Sequence, residues 1–373
     1  MAHVRLDSYL RVLAETGGSD LHVKVGSPAR IRVDGVLRRI PGEESLTPED
    51  TAGMAEAIMR DDVRERFSRS ADVDFAYSLP GVGRFRANAF RQRGSVALIF
   101  RLVRSSSATF DELGLPEVVG RLALEHRGLV LVTGPTGSGK TTTLAAMIDH
   151  INRNRECHIV TIEDPIEVLH EDRMASINQR EVGVDADSFG SAMRAAMRQD
   201  PDVILVGEMR DEETVAAALS AAETGHLVLS TLHTIDAGET VNRIVDFFPP
   251  HQQHQIRMAL AGSIKGAICQ RLVPRADGSG RVPALEVMVA NGRIAQCITD
   301  PELTGEMHEI IADGEYYGMQ TFDQALVKLI EQGAIDLRGA MATASRPHDL
   351  KVMLQQKGLV PAGRPAPLVT NVS

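Results

Sequence analysis

Residues 128–143 read GLVLVTGPTGSGKTTT. Six strand-forming residues end at Thr133, a glycine-rich turn follows, and helix-forming sequence starts at Lys140. Gly134, Gly139, Lys140 and Thr141 satisfy the pattern GxxxxGK[ST] without a departure, in the strand–turn–helix setting that the pattern requires. A loop that cradles phosphate must turn its main-chain N–H groups inward and let oxygens approach closely. Glycine permits both, and the following helix adds its positive end. Gly134, Pro135, Thr136, Gly137, Ser138, Gly139, Lys140, Thr141 and Thr142 are therefore the expected phosphate cradle. Lys140 should reach the outer phosphates of ATP, and Thr141 should hold Mg²⁺.

Three further apolar runs resemble the strand before the loop: HIVTIE at 158–163, DVILVGE at 202–208 and HLVLST at 226–231. Helical sequence separates them, which predicts an α/β domain with a mainly parallel sheet whose ligand groups gather at the carboxyl ends of the strands. Glu208 ends one run, where a carboxylate can assist Mg²⁺ and orient an attacking water. Glu163 ends another and is its expected catalytic companion, whereas Asp164 and Glu167 serve equally well as helix caps. His226 and His233 bracket the last run and are expected to sense the γ-phosphate. No third ligand lies at zinc-like spacing, so no zinc is expected.

Upstream, LHVKVGSPARIRVDGVLRRI at 21–40 carries the turn chemistry of hairpins, centred on Asp34 and Gly35. A helix is predicted from Thr47 as N-cap with Pro48 at its first position, and strands around 72–77 and 84–100. The serine run at 105–107 then interrupts the pattern. These changes predict an N-terminal α+β domain over 1–104, a linker over 105–116, the P-loop domain with C-terminal helices over 117–345, and a terminal segment over 346–373 with a disordered tail after about 361. Helices are expected over 251–271 and 320–332.

The 373 residues suffice for two cores, and 43% hydrophobic with 24% charged residues is the balance of a globular chain. A formal charge of -10 speaks against generic nucleic-acid binding. Three scattered cysteines form neither a disulfide framework nor a metal knuckle, so the chain reads as reduced and intracellular. Against the acidic whole, RFRANAFRQRGSVALIFRLVR at 84–104 holds six arginines and no acid. Arg84, Arg86, Arg91 and Arg101 are the candidates for arginines that act on the nucleotide of a neighbouring subunit. Ion pairs with Asp72 and Asp74 are the plainer use of the same strip, and nucleic-acid contact is a third.

Taken together, SDLHVKVGSPARIRVDG, RFRANAFRQRG, GPTGSGKTTTLAAMID, TIEDPIE, DPDVILVGEMRD, ETGHLVLSTLHT and GMQTFDQAL resemble the type IV pilus retraction ATPases (PilT-type) of the secretion-ATPase superfamily, in order and spacing, over about residues 5–335. The resemblance implies a PAS-like N-terminal domain, a RecA-like ATPase domain and a homohexamer that hydrolyses ATP to drive pilus retraction. Its implied partners are an inner-membrane platform protein and an assembly ATPase counterpart, with the ring cytoplasmic and held at the inner membrane through those partners. By position, Glu163 becomes the Asp-box glutamate, Glu208 the Walker-B glutamate, and His226 and His233 members of the His box. The extra N-terminal domain and tetracysteine site usual in assembly ATPases are not expected here, which favours retraction over extension. Residues 291–300, NGRIAQCITD, keep little of the retraction family's AIRNLIRE segment. An accessory or assembly-type pilus ATPase is thus the alternative, with a nucleic-acid translocase behind it.

Overall fold

In the computed structural model, which describes residues 2–103 and 108–360, the first sheet is wholly antiparallel. Its strands are β1 (Asp20–Val23), β2 (Arg30–Val33), β3 (Val36–Arg39), β4 (Asp72–Leu79), β5 (Gly83–Gln92) and β6 (Ser95–Leu102), in the order β3-β2-β1-β6-β5-β4. Asp34 and Gly35 take φ of 50° and 78° and close the β2–β3 hairpin in two residues, the left-handed pair that matches strand twist. Arg93 and Gly94 do the same at φ of 50° and 79°. The stretch 84–100 is therefore a hairpin, β5 and β6, rather than continuous strand.

Alternation along β5 and β6 puts Phe85, Ala87, Ala89, Leu98 and Phe100 in the core and leaves Arg86 and Arg101 on the other face, exposed; Arg91 shares the side of Phe85 but is exposed near the strand end. Leu6, Tyr9, Leu10 and Leu13 of the helix Ala2–Glu15 join that core at helical spacing. The helix Pro48–Ile58 starts as its sequence implies. Thr47 Oγ1 accepts from Asp50 N at 3.1 Å and the Asp50 carboxylate accepts from Thr47 N at 2.9 Å, a closed capping box.

The second sheet has β7 (Gly128–Thr133), β8 (His158–Glu163), β9 (Ser176–Glu181), β10 (Val203–Val206), β11 (Leu227–Leu232), β12 (Ile264–Pro274) and β13 (Arg281–Val289), ordered β13-β12-β7-β11-β10-β8-β9. All pairs are parallel except β12 with β13. Leu129, Leu131, Ile162, Val206 and Val228 pack on one face, and Val130, Val132, Ile159, Leu205 and Leu229 on the other. Each such side chain contributes roughly 1.5–3 kcal/mol by leaving water, and coverage of both faces explains the unbroken apolar runs.

One expected helix is cut short. The helix Pro250–Ser263 ends where β12 begins, so residues 264–271 are strand rather than helix. A Cβ at Gly266 would meet Leu122 Cδ1 at 2.8 Å and Met288 O at 2.9 Å, so the glycine lets β12 lie close to its neighbours. The edge strand β9, SINQRE, shows little hydrophobic alternation and was silent in the sequence.

Two units are present: Met1–Ser106 with Ile166–His170, and Ser107–Pro165 with Glu171–Ser373. The return of 166–170 to the first unit has no counterpart in the sequence boundaries. Within the expected linker, Thr109 caps a one-turn helix, Phe110–Leu113, and residues 104–107 lie outside the described residues. The expected tail beyond 361 lies outside them as well. The helix Phe322–Glu331 falls inside the range expected at 320–332. Among the described residues no helix is long and apolar enough to cross a membrane, and no His, Cys, Asp and Glu cluster could hold a metal ion.

Candidate nucleotide-binding site

The helix Lys140–Asn154 begins differently from its neighbours. Ser188, Asp211 and Asp236 cap the helices Phe189–Ala196, Glu212–Glu223 and Ala237–Asp246 with their side chains, each accepting a first-turn N–H. Gly139, at φ 92°, offers the helix at Lys140 no such acceptor. Its first-turn donors are thereby left for an anion, which is what a phosphate cradle requires. Gly134 is irreplaceable on steric grounds, because a Cβ there would lie 2.3 Å from Gln270 O. Pro135, Thr136 and Gly137 form the exposed rim, Ser138 is buried beneath it, and Thr141 and Thr142 are exposed on the first helical turn. Thr141 thus fits the metal-ligand role, and Lys140 Nζ donates to Gly134 O at 2.8 Å and to Pro135 O at 3.2 Å.

Parallel strand order brings the next groups alongside. β11 lies between β7 and β10, so His233, just past β11, stands between Lys140 and Glu208. His233 Nδ1 is 3.5 Å from Lys140 Nζ, and His233 Nε2 is 3.6 Å from Glu208 Oε2. Arg210 closes on the other Glu208 oxygen at 2.5 Å. Glu208 is held at its strand end because Thr231 Oγ1 donates to Gly207 O at 2.7 Å and Met209 N to Thr231 O at 3.2 Å. Burial lowers the Lys140 pKa, and the Glu208 carboxylate opposes that shift.

Two expected members stand elsewhere. Glu163 is on the correct edge of the sheet, but β8 is three strands from β7, about 14 Å at ordinary strand spacing. Its Oε1 accepts from Thr161 Oγ1 at 2.6 Å and from Gln179 Nε2 on β9 at 3.1 Å. His226 precedes β11 and so lies about 20 Å along the strand from His233, at the opposite edge of the sheet. Its Nδ1 is 3.0 Å from Ala221 O and 3.3 Å from Thr224 Oγ1, at the C-terminal end of the helix Glu212–Glu223. Of the two histidines expected as sensors, His233 alone stands beside the loop, because parallel strands collect only their carboxyl ends there.

Beside Gly139 and Thr142 opens a cavity of about 290 Å³. Leu113, Leu115, Leu272 and Pro283 supply apolar walls, and Arg275 and Arg281 supply charge. Neither this pocket nor Arg210 emerged from the sequence reading. The pocket draws on three separated segments. Arg210 had a legible signal, since it follows Glu208 by two residues and both are free to meet past the end of β10.

The arginine strip of the first unit also divides. Arg101 Nε donates to Asp20 Oδ1 at 2.8 Å, and Asp20 is buried. Burial opposes the Asp20 charge, yet Ser19 and Arg101 together hold its carboxyl below the ordinary value. Arg91 lies over the Phe67 ring, 4.8 Å from its centroid. Arg101 and Arg91 are thus engaged within their own unit, with Asp20 rather than Asp72 or Asp74 as the ionic partner of Arg101. Arg84 is half-buried, and Arg86 is exposed opposite Arg101 across the β5–β6 pair.

A family model described as type II/IV secretion system protein matches residues 5–331. The chain is 45% identical over 336 residues to the Type IV pilus retractation ATPase PilT of Pseudomonas aeruginosa, covering 90% of this chain and 97% of that protein. It is 41% identical over 355 residues to the type IV pilus ATPase PilU of the same organism, covering 94% and 92%. A crystal structure of the pilus retraction motor PilT with bound ADP superposes with a TM-score of 0.84 at 45% identity, covering 92% of this chain and 99% of that one. Likeness along nearly the whole of both chains reflects common descent rather than a shared phosphate loop, and the chain belongs to the type II/IV secretion system protein family.

Proposed function

We propose that this chain is an ATP-hydrolysing motor of type IV pilus retraction, working as a ring of six identical subunits. The observation that carries the chemistry is the contact series Lys140, His233, Glu208 and Arg210 beside the loop. In this reading the nucleobase enters the cavity walled by Leu272 and Pro283, and the phosphates lie across the first turn of the helix at Lys140. Lys140 neutralises charge on the outer phosphates. Glu208 orients the attacking water and accepts its proton, while His233 donates toward the γ-phosphate and registers its departure. Thr141, with Glu208 nearby, would hold a Mg²⁺ ion, which would supply further neutralisation of the phosphates. Glu163 lies farther along, at the carboxyl end of β8 on the same side of the sheet as Glu208.

Hydrolysis would drive work through movement of the first unit against a neighbouring subunit's ATPase domain, passed to an inner-membrane platform protein on the cytoplasmic side. Arg86, exposed on β5, is the arginine best suited to reach a neighbour's nucleotide. An assembly ATPase would oppose the motor at the same platform. The comparably broad likeness to PilU, named a type IV pilus ATPase without mention of retraction, favours a second reading, a pilus ATPase with the same chemistry in an accessory role. Steady-state ATPase against subunit concentration, with oligomer size followed in parallel, tests the proposal. Activity should climb as hexamers form and vanish in Glu208→Ala, whereas a monomer with concentration-independent activity would sink the ring motor. Restoration of retraction in cells lacking their retraction ATPase, by this chain alone, would decide against the accessory reading.

A further inference from the structure

Because β12 runs parallel to β7 with Cys269 opposite Thr133, the next residue on each strand, Gln270 and Gly134, stand side by side where β7 becomes the loop. The Gln270 side chain is 3% exposed. Its Nε2 donates to Ser138 O at 2.7 Å, and its Oε1 accepts from Thr143 Oγ1 at 2.8 Å. One buried amide therefore joins the end of the loop to the first turn of the helix. Those two pieces bracket Gly139, Lys140, Thr141 and Thr142, so their relative tilt determines where the first-turn N–H groups point. Gly139 is closely bound to the same amide, since a Cβ there would lie 2.7 Å from Gln270 Nε2. Gln270 also lines the cavity beside the loop.

We infer that Gln270 is a positioning residue that holds the phosphate loop in its binding conformation and thereby sets nucleotide affinity. The inference rests on the ATPase reading above. The neutral amide supplies a donor to the Ser138 carbonyl and an acceptor to the Thr143 hydroxyl at once. A glutamate would keep the acceptor and set its second oxygen against the carbonyl. A methionine of similar length would leave both partners buried and unpaired. Gln270 touches no reacting atom, so the effect belongs to binding rather than to the chemical step.

The test is ADP titration of the assembled full-length chain, with ATP KM and kcat and a melting curve for each variant. Gln270→Met should weaken ADP and raise KM roughly tenfold, with kcat at saturating ATP held within about threefold. Thr143→Val, which removes one of the two bonds, should weaken ADP about threefold, and Thr143→Ser should restore it. ADP affinity within about twofold of the parent in Gln270→Met, whatever its melting temperature, would show that the side chain only fills space and would overturn the inference. Should Gln270→Met fail to fold, the threonine pair decides: equal affinity in Thr143→Val and Thr143→Ser overturns it, and loss with recovery supports it. Absence of ADP binding by the parent chain would sink the ATPase reading and this inference together. That result is distinct from binding that Lys140→Ala abolishes and Gln270→Met leaves intact.

Discussion

The antiparallel sheet of the first unit and the mainly parallel sheet of the second both carry charge, but they distribute it differently. Along β5 and β6 the arginines are dispersed over the length of the strands, and two of them find local partners: Asp20 for Arg101, the Phe67 ring for Arg91. In the second sheet the central strands bury apolar side chains on both faces, and the groups gathered beside the loop lie at strand ends. Because the strands run the same way, the ends that follow β7, β10 and β11 converge, and Lys140, Glu208 and His233 meet although nearly 100 positions separate the first from the last. A parallel sheet concentrates chemistry at one edge, and an antiparallel sheet disperses it.

The largest effect should come from the convergent edge. Glu208→Gln should cut ATP turnover about 10²- to 10³-fold with the melting temperature preserved. Retained turnover would mean that the meeting of strand ends is incidental to hydrolysis. His233→Ala should lower kcat about 10- to 100-fold. On the same strand, His226→Ala should leave kcat within about threefold and cost about 1 kcal/mol of stability, through lost contacts at the helix end. Equal kinetic losses at the two histidines would break the distinction between the edges.

A buried carboxylate on β13 sharpens the comparison further. Burial pushes the Glu286 pKa up to about 7; the Ala237 N–H, donating at 3.0 Å, and the Arg271 charge oppose that rise, and the charges of Asp236 and Asp323 reinforce it. The folded chain therefore holds a proton that the unfolded chain releases near pH 4.5, and stability falls as pH rises from about 4.5 to about 7. Glu286→Gln keeps an acceptor for Ala237 without the charge. It should melt above the parent at pH 8, by roughly 3 kcal/mol or less, with the gap closing toward pH 5. A constant gap across that range would assign the difference to packing.

The smallest expected effects lie on the dispersed sheet. Arg101→Ala should destabilise by about 1–2 kcal/mol, since it strips a hydrogen-bonded partner from buried Asp20 while solvent still reaches the exposed guanidinium side. Arg86→Ala should leave the melting curve unchanged. Loss of ATPase by Arg86→Ala only at concentrations that assemble the ring would place that arginine at a neighbour's nucleotide, and full activity would confine the strip to its own unit.

Much of this molecule could be read locally. The phosphate loop, the Thr47 capping box, the Asp34–Gly35 turn and four buried strands each depend on contiguous residues, so periodicity and turn chemistry suffice to find them. β9 was invisible because an edge strand need not be apolar. β12 was read as the continuation of a helix because a fully buried strand has no alternation, and length alone did not separate the two.

By itself the sequence determined the glycine-rich turn, the strand that precedes it and the place of Glu208 just past a strand, because a chemical pattern over adjacent residues allows few conformations. Only the tertiary structure decided which distant side chains join the cradle. Strand order carried His233 to Lys140 and held Glu163 three strands away; strand direction sent His226 to the far edge; and the register of β12 against β7 placed Gln270 beneath the loop. Order, direction and register arise from packing between segments far apart in the chain, and no local pattern encodes them.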